Sequence, residues 1–181
     1  MAKVLVPLAQ GCEELEAVTI IDILRRAGIE VVAAGLAAGP VRASRGTVLL
    51  PDATLDEVQQ QSFDMVVLPG GMPGSEHLKN DARLIALLQR TAAAGKHVAA
   101  ICAAPMALHA AGLLQGKQAT SYPGVLDQLP GTHRYSSDAV VTDGKVVTSR
   151  GPGTAMDFAL TLVELLAGKQ QRQQVEAGLE R

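Results

Sequence analysis

The sequence predicts an α/β fold built on a mostly parallel sheet. Three observations lead there. The short runs Val4 to Leu8, Ile29 to Ala34, Met65 to Leu68 and Val98 to Ile101 are near-continuously apolar rather than alternating. That is the mark of strands covered on both faces. Segments of helical period lie between them, the pattern of strand–helix–strand units. Glycines punctuate the changes of period. The 181 residues read most simply as a single domain, 1–181, long enough for a sizeable core. Apolar residues are 48% of the chain but aromatics only 2%, with no Trp. The core must therefore be built from Val, Leu, Ile and Ala.

Taken in order, Val4 to Leu8 is a first strand, and Gln10 to Glu14 is its turn. A helix follows, with Leu15, Val18, Ile21, Ile23 and Leu24 roughly on one face, closed by Ala27-Gly28. Glu13, Glu14 and Glu16 crowd its first turn, where carboxylates suit the helix dipole. Ile29 to Ala34 is a second strand. Val41 to Leu50 reads as a hairpin around Ser44-Arg45-Gly46, and Thr54 caps a short helix to Val58. Met65 to Leu68 is a third strand, running into Pro69-Gly70-Gly71-Met72-Pro73-Gly74. A loop with so few side chains exposes main-chain N–H groups to a ligand, or is simply a strand-to-helix turn. Asp81 to Ala94 is an amphipathic helix with Gly95 past its end. The fourth strand ends at Ile101, and an apolar segment from Met106 to Leu114 is broken by Gly112. Gln118 to Tyr122 is a short strand stopped by Pro123. Val140 to Thr148 is a hairpin about Asp143-Gly144. A helix from about Ala155 to Leu166 ends at Gly168, and Gln170 to Ala177 is a polar terminal helix.

Composition excludes several classes. The net charge is −2, with no long basic or acidic run, so nothing suggests a nucleic-acid surface. No apolar run is long enough to span a bilayer or form a signal-peptide core, so a cytoplasmic location is the default expectation. Two cysteines, Cys12 and Cys102, make neither a disulfide framework nor a zinc-ligand spacing. No metal or cofactor is expected.

Cys102 stands between the strand and Ala103-Ala104-Pro105. Pro suits the first turn of a helix. Cys102 is therefore expected on a sharp turn facing unpaired N–H groups and the positive end of a helix dipole. Both favour the thiolate, so the thiol is expected to titrate below a free cysteine. The other reading is a buried structural cysteine. The Gly11–Glu16 turn, the Gly70–Gly74 loop and Cys102 all fall at the carboxyl ends of strands, where ligands bind in such sheets.

Four blocks carry a resemblance: Gly11-Cys12-Glu13-Glu14-Leu15-Glu16, Val67-Leu68-Pro69-Gly70-Gly71, Ala99-Ala100-Ile101-Cys102-Ala103-Ala104-Pro105 and Thr148-Ser149-Arg150-Gly151-Pro152-Gly153-Thr154. Their order resembles the ThiJ/PfpI superfamily, in the branch of the Parkinson's-disease-associated protein and its bacterial YajL-type relatives. The resemblance runs from about Lys3 to Val175. It implies a flavodoxin-like three-layer sandwich and a homodimer paired through the first helix. It also implies a nucleophile at Cys102, a partner carboxylate at Glu16 and oxyanion-binding amides at Gly71 and Ala103. Charged residues near the site or the dimer seam match Glu13, Asp22, Arg26 and Arg45. Many family members carry a His where this chain has Tyr122, which weakens a Cys–His peptidase or amidase reading. His77, His97, His109 and His133 fall outside the matched blocks and read as surface or packing residues. Cys12 is either a resolving thiol for oxidised Cys102 or a small side chain in a tight turn.

The resemblance implies glutathione-independent glyoxalase or deglycase chemistry on methylglyoxal or its early adducts, including glycated protein. The alternative is a stress-sensing chaperone switched by oxidation of Cys102.

Overall fold

A computed structural model describes residues 1–181. The chain runs β1 (Lys3–Leu8), α1 (Glu14–Arg26), β2 (Glu30–Gly35), β3 (Val41–Arg42), β4 (Val48–Leu49), β5 (Ala53–Thr54), α2 (Leu55–Val58) and β6 (Met65–Leu68). It continues through α3 (Gly74–Asn80), α4 (Ala82–Ala93), β7 (His97–Ile101), α5 (Pro105–Ala110), β8 (Gln118–Ala119) and β9 (Arg134–Tyr135). It closes with β10 (Val140–Asp143), β11 (Val146–Ser149), α6 (Ala155–Ala167) and α7 (Lys169–Gly178). A seven-stranded sheet has the order β10-β11-β7-β6-β1-β2-β5. Every neighbour pair in it is parallel except the β10–β11 hairpin at one edge.

The apolar strands explain the layers. Successive side chains of a strand point to opposite faces. Val4, Val6, Met65, Val67, Ala99 and Ile101 therefore pack on one face, with Ile20, Ile23 and Leu24 of α1 and Phe158, Leu162 and Val163 of α6. Leu5, Val66, Leu68, Val98 and Ala100 pack on the other, with Leu84, Leu87 and Leu88 of α4 and Leu108 of α5. Because both faces are covered, the strands show no polar alternation.

The order reverses at β1, with β2 on one side and β6 on the other. The crevice at the carboxyl ends of β1, β6 and β7 is thus the place where an open parallel sheet holds ligands. Local chemistry serves this crevice. Glu13 caps α1, its Oε2 accepting from the Glu16 N–H at 2.7 Å. Asp81 caps α4 by accepting from the Arg83 and Leu84 amides. Thr54 and Glu57 form a reciprocal capping box on α2.

Several expectations are corrected. On α1, Ala17, Ile20, Ile23 and Leu24 face inward, whereas Leu15 and Val18 are 51% and 46% exposed. The helix has an apolar stripe on each side, which a simple count of apolar positions merged into one face. The short helix α3 fills the stretch between the glycine loop and the Asp81 helix, to which the sequence pattern assigns no element. Its only large apolar residue turned to the core is Leu78, so it carries no visible period. The strand from Gln118 stops at Ala119, since the Thr120 N–H leaves the ladder to donate to Thr148 Oγ1 at 2.9 Å. Its partner β9, paired in parallel through Gln118–Arg134 and Ala119–Tyr135, was not foreseen.

Candidate active site

Cys102 is held at φ +63°, a left-handed conformation rare for a residue with a side chain. Both of its backbone groups are clamped. Its N–H donates to the Ser149 carbonyl at 3.0 Å, and its carbonyl accepts from the Tyr122 N–H at 2.8 Å. Ser149 is itself fastened, its hydroxyl 2.7 Å from the Thr154 hydroxyl. Such strain persists where the surroundings over-determine it, as at functional sites.

Glu16 is completely buried. Its Oε2 accepts from the Gly70 N–H at 2.8 Å, and its Oε1 is buried with no hydrogen-bond partner. Gly70 is packed so closely that an added Cβ would lie 2.6 Å from the Cys102 Cβ and 2.7 Å from Glu16 Oε2. Gly71 has φ +90°, and a Cβ there would lie 2.4 Å from the Glu13 amide. The Gly-Gly pair thus lets the β6 loop run against both groups. The amides of Gly71 and Ala103 both donate toward the Cys102 sulfur.

The two titratable groups form a coupled pair. Burial pushes the Glu16 carboxyl up to about 7, against the Gly70 amide that pulls it down. Burial and the negative charge of an ionised Glu16 push the Cys102 thiol up to about 12, against the Gly71 and Ala103 amides. The turn thus sets burial and a neighbouring carboxylate against the amides at the helix terminus, which favour the thiolate. Because Glu16 holds its proton into the neutral range, the repulsion from its charge is absent until that proton leaves.

The remaining residues separate clearly. A cavity of about 1000 Å³ opens over Cys102, lined also by Glu13, Arg45, Gly71, Ala103 and Tyr122. Asp22 and Arg26 are not among its lining residues. They pair with each other at 2.7 Å on the exposed side of α1. His109 lines the cavity, but its Nε2 is bonded to the Pro130 carbonyl at 2.7 Å. His133 is likewise tied to the Leu126 carbonyl at 2.8 Å. Cys12 is fully buried, and burial with the nearby Glu14 pushes its thiol up to about 11. No three His, Cys, Asp or Glu side chains come together as a metal site.

Two contributions escaped the sequence reading. Gly70 supplies the amide that anchors Glu16, a role signalled only by its place in the Pro-Gly-Gly run. Glu14 reaches the β3–β4 hairpin, accepting from the Ser44 hydroxyl and the Arg45 and Thr47 amides, and so fixes the loop that carries Arg45. Its partners lie about thirty residues away, beyond local pattern.

Fold and site together define a flavodoxin-like protein with a cysteine–glutamate pair at the carboxyl ends of its strands. The chain belongs to the DJ-1/PfpI family, whose model matches residues 2–165. It is 48% identical over 177 residues to Protein dj-1beta of Drosophila melanogaster, covering 97% of this chain and 95% of that protein. The crystal structure of Drosophila melanogaster DJ-1beta superposes with a TM-score of 0.95 over 98% of this chain and 97% of that one. Toxoplasma gondii DJ-1, oxidized, is 45% identical with a TM-score of 0.95, over 99% of this chain and 98% of that chain. A Caenorhabditis elegans relative named Glutathione-independent glyoxalase DJR-1.2 is 36% identical over 171 residues, 94% of this chain and 90% of its own length. No helix is long and apolar enough to cross a membrane.

Proposed function

We propose that the protein is a glutathione-independent glyoxalase acting on methylglyoxal-type α-oxoaldehydes, either free or as their early adducts with thiols, amines and guanidines. The observation that carries this reading is the buried Glu16 carboxyl, pushed up to about 7, against a sulfur that faces two amides. A group of that pKa both takes and gives protons at neutral pH. The resemblance to the relative named as a glyoxalase supports the same class.

The chemistry balances on these residues. The Cys102 sulfur attacks the aldehyde carbon as a thiolate, its proton residing on Glu16. The former aldehyde oxygen takes that proton and gives a hemithioacetal, the Gly71 and Ala103 amides holding the developing oxyanion. Glu16 then removes the hydrogen on the same carbon, and the electron pair moves into an enediol. Glu16 returns that proton to the former ketone carbon while the hydroxyl proton passes to the former ketone oxygen, so the sulfur-bearing carbon is oxidised to a thioester carbonyl and its neighbour is reduced to a carbinol. Water cleaves the resulting thioester, releasing lactate and the free thiol. Neither glutathione nor a metal takes part in this sequence. Glu13 positions Glu16 through its amide, while Arg45 adds a cation to the cavity.

Methylglyoxal consumption measured with and without glutathione tests the reading. The wild type is expected to turn over equally in both, and Cys102→Ser not at all. A strict need for glutathione, or full activity in Cys102→Ser, overturns it.

A second reading rests on the same amide cradle. Two equivalents of peroxide convert the Cys102 thiolate to sulfinate, releasing water, and the amides and protonated Glu16 then hold its oxygens. A relative of this fold is described as oxidized. Peptide mass spectrometry after limited peroxide should find the dioxidised sulfur on Cys102 before Cys12. A Cys12–Cys102 disulfide appearing first excludes this reading in favour of a dithiol pair.

A further inference from the structure

Two hollows meet at the Tyr122 ring. One is the cavity over Cys102, about 1000 Å³. The other, about 290 Å³, is formed by Pro123 and the run from Arg150 to Thr154. Tyr122 and Pro152 line both. Tyr122 thus stands between the two hollows, and its main chain is tied to the nucleophile's own backbone. The Tyr122 N–H is bonded to the Cys102 carbonyl, and the Tyr122 carbonyl accepts from the Val125 N–H at 3.1 Å. Gly151 lies beside the ring, where an added Cβ would stand 3.4 Å from Tyr122 Cδ2, at ordinary contact distance. The residue is 53% exposed, so much of its ring is free to meet a ligand. Met106, Val125, Leu129 and Pro130 add apolar surface to the same cavity.

This cavity is far larger than a three-carbon aldehyde needs. It matches sites for much larger ligands, which run to about 300–1,000 Å³. The aldehyde carbon must reach the sulfur. The substituent on the ketone carbon then extends into the remaining space, where Tyr122 offers the largest aromatic face.

We propose that Tyr122 sets the substrate range of this site: the substituent on the ketone carbon packs against its ring, so aromatic and bulky apolar α-oxoaldehydes are favoured over methylglyoxal. The proposal rests on the α-oxoaldehyde reading given above. Tyr122 acts on binding through its ring face and gives or takes no proton. Aromatic pairing of this kind corresponds to a preference of roughly three- to tenfold beyond simple burial.

Steady-state kinetics of wild type, Tyr122→Phe and Tyr122→Ala on phenylglyoxal and methylglyoxal test it. The ratio of kcat/KM for phenylglyoxal over methylglyoxal should fall by about tenfold in Tyr122→Ala, through KM, and hold in Tyr122→Phe. A parallel loss on both aldehydes, or an equal loss in Tyr122→Phe, overturns the proposal. A second measurement does not depend on turnover. The chain has two tyrosines and no Trp. In a Cys102→Ser, Tyr135→Phe background Tyr122 is therefore the sole aromatic emitter of note. Mandelate, the product of an aryl α-oxoaldehyde, should perturb its fluorescence at lower concentration than lactate. An equal response to the two acids overturns the proposal. Inactivity of the wild type on both aldehydes, with the mandelate preference intact, instead overturns the glyoxalase reading alone.

Discussion

Cys102 and Glu16 cannot be understood one at a time. A thiol with two amides aimed at it is inclined to ionise, yet burial and an ionised neighbour oppose that. We propose that the pair resolves this conflict by holding its proton on the carboxyl, whose Oε1 has no hydrogen-bond partner. Ultraviolet absorbance of the thiolate in Cys12→Ala protein should therefore rise well below pH 8.5, the value of a free cysteine. A rise only in strongly alkaline solution would show that the proton stays on sulfur. Turnover gives the complementary measurement. Glu16→Gln should lower kcat for methylglyoxal by roughly 10²-fold or more, the usual weight of a general acid–base. Glu14→Gln should be far milder, because Glu14 is spent on the hairpin rather than on the sulfur. Equal losses in the two variants would reduce Glu16 to one member of a charge cluster.

At the scale of elements, α1 carries two apolar stripes and only one has a partner within the chain. Ile20, Ile23 and Leu24 are buried against the sheet and α6. Leu15 and Val18 remain open on the helix that also bears the Asp22–Arg26 pair. That pair contributes only about 0.3–0.5 kcal/mol as an exposed i,i+4 bridge. We propose that a second copy covers this face, giving a homodimer. Wild-type protein at micromolar concentration should sediment as a dimer near neutral pH. Val18→Asp should sediment as a monomer, because it places a charge in an apolar seam. A monomeric wild type contradicts the assembly while leaving the chemistry of Cys102 untouched.

For the whole molecule, the site has a cost that pH reveals. Glu16 binds its proton more tightly in the folded chain, about 7 against an ordinary 4.5. Stability from this group is complete below the unfolded value and is lost as pH rises toward the folded one. In Cys102→Ser protein, where Glu16 titrates without its thiol partner, urea unfolding should show a loss of roughly 2–3 kcal/mol between about pH 4.5 and 7. Adding Glu16→Gln should flatten that window, since the amide carries no charge to bury. A slope that survives the substitution would locate it in another group.

The sequence encodes the layered α/β architecture legibly, because continuous apolar strands and helical periods are local patterns. It also marks the strand-to-helix turn at Cys102 and the glycine loop beside it. Through resemblance it named Glu16, Gly71 and Ala103. The remaining features arise from contacts between distant parts of the chain. The anchoring of Glu16 by Gly70 spans 54 positions, and the Glu14 contacts with the hairpin span about 30. Neither leaves a periodic trace. The division of α1 into a covered and an open stripe depends on which neighbours pack against it. The rise of the Cys102 thiol depends on how deeply the turn is buried and on which carboxylate lies beside it. Proton affinity is set by the surroundings in three dimensions, and a chain's local pattern does not contain them.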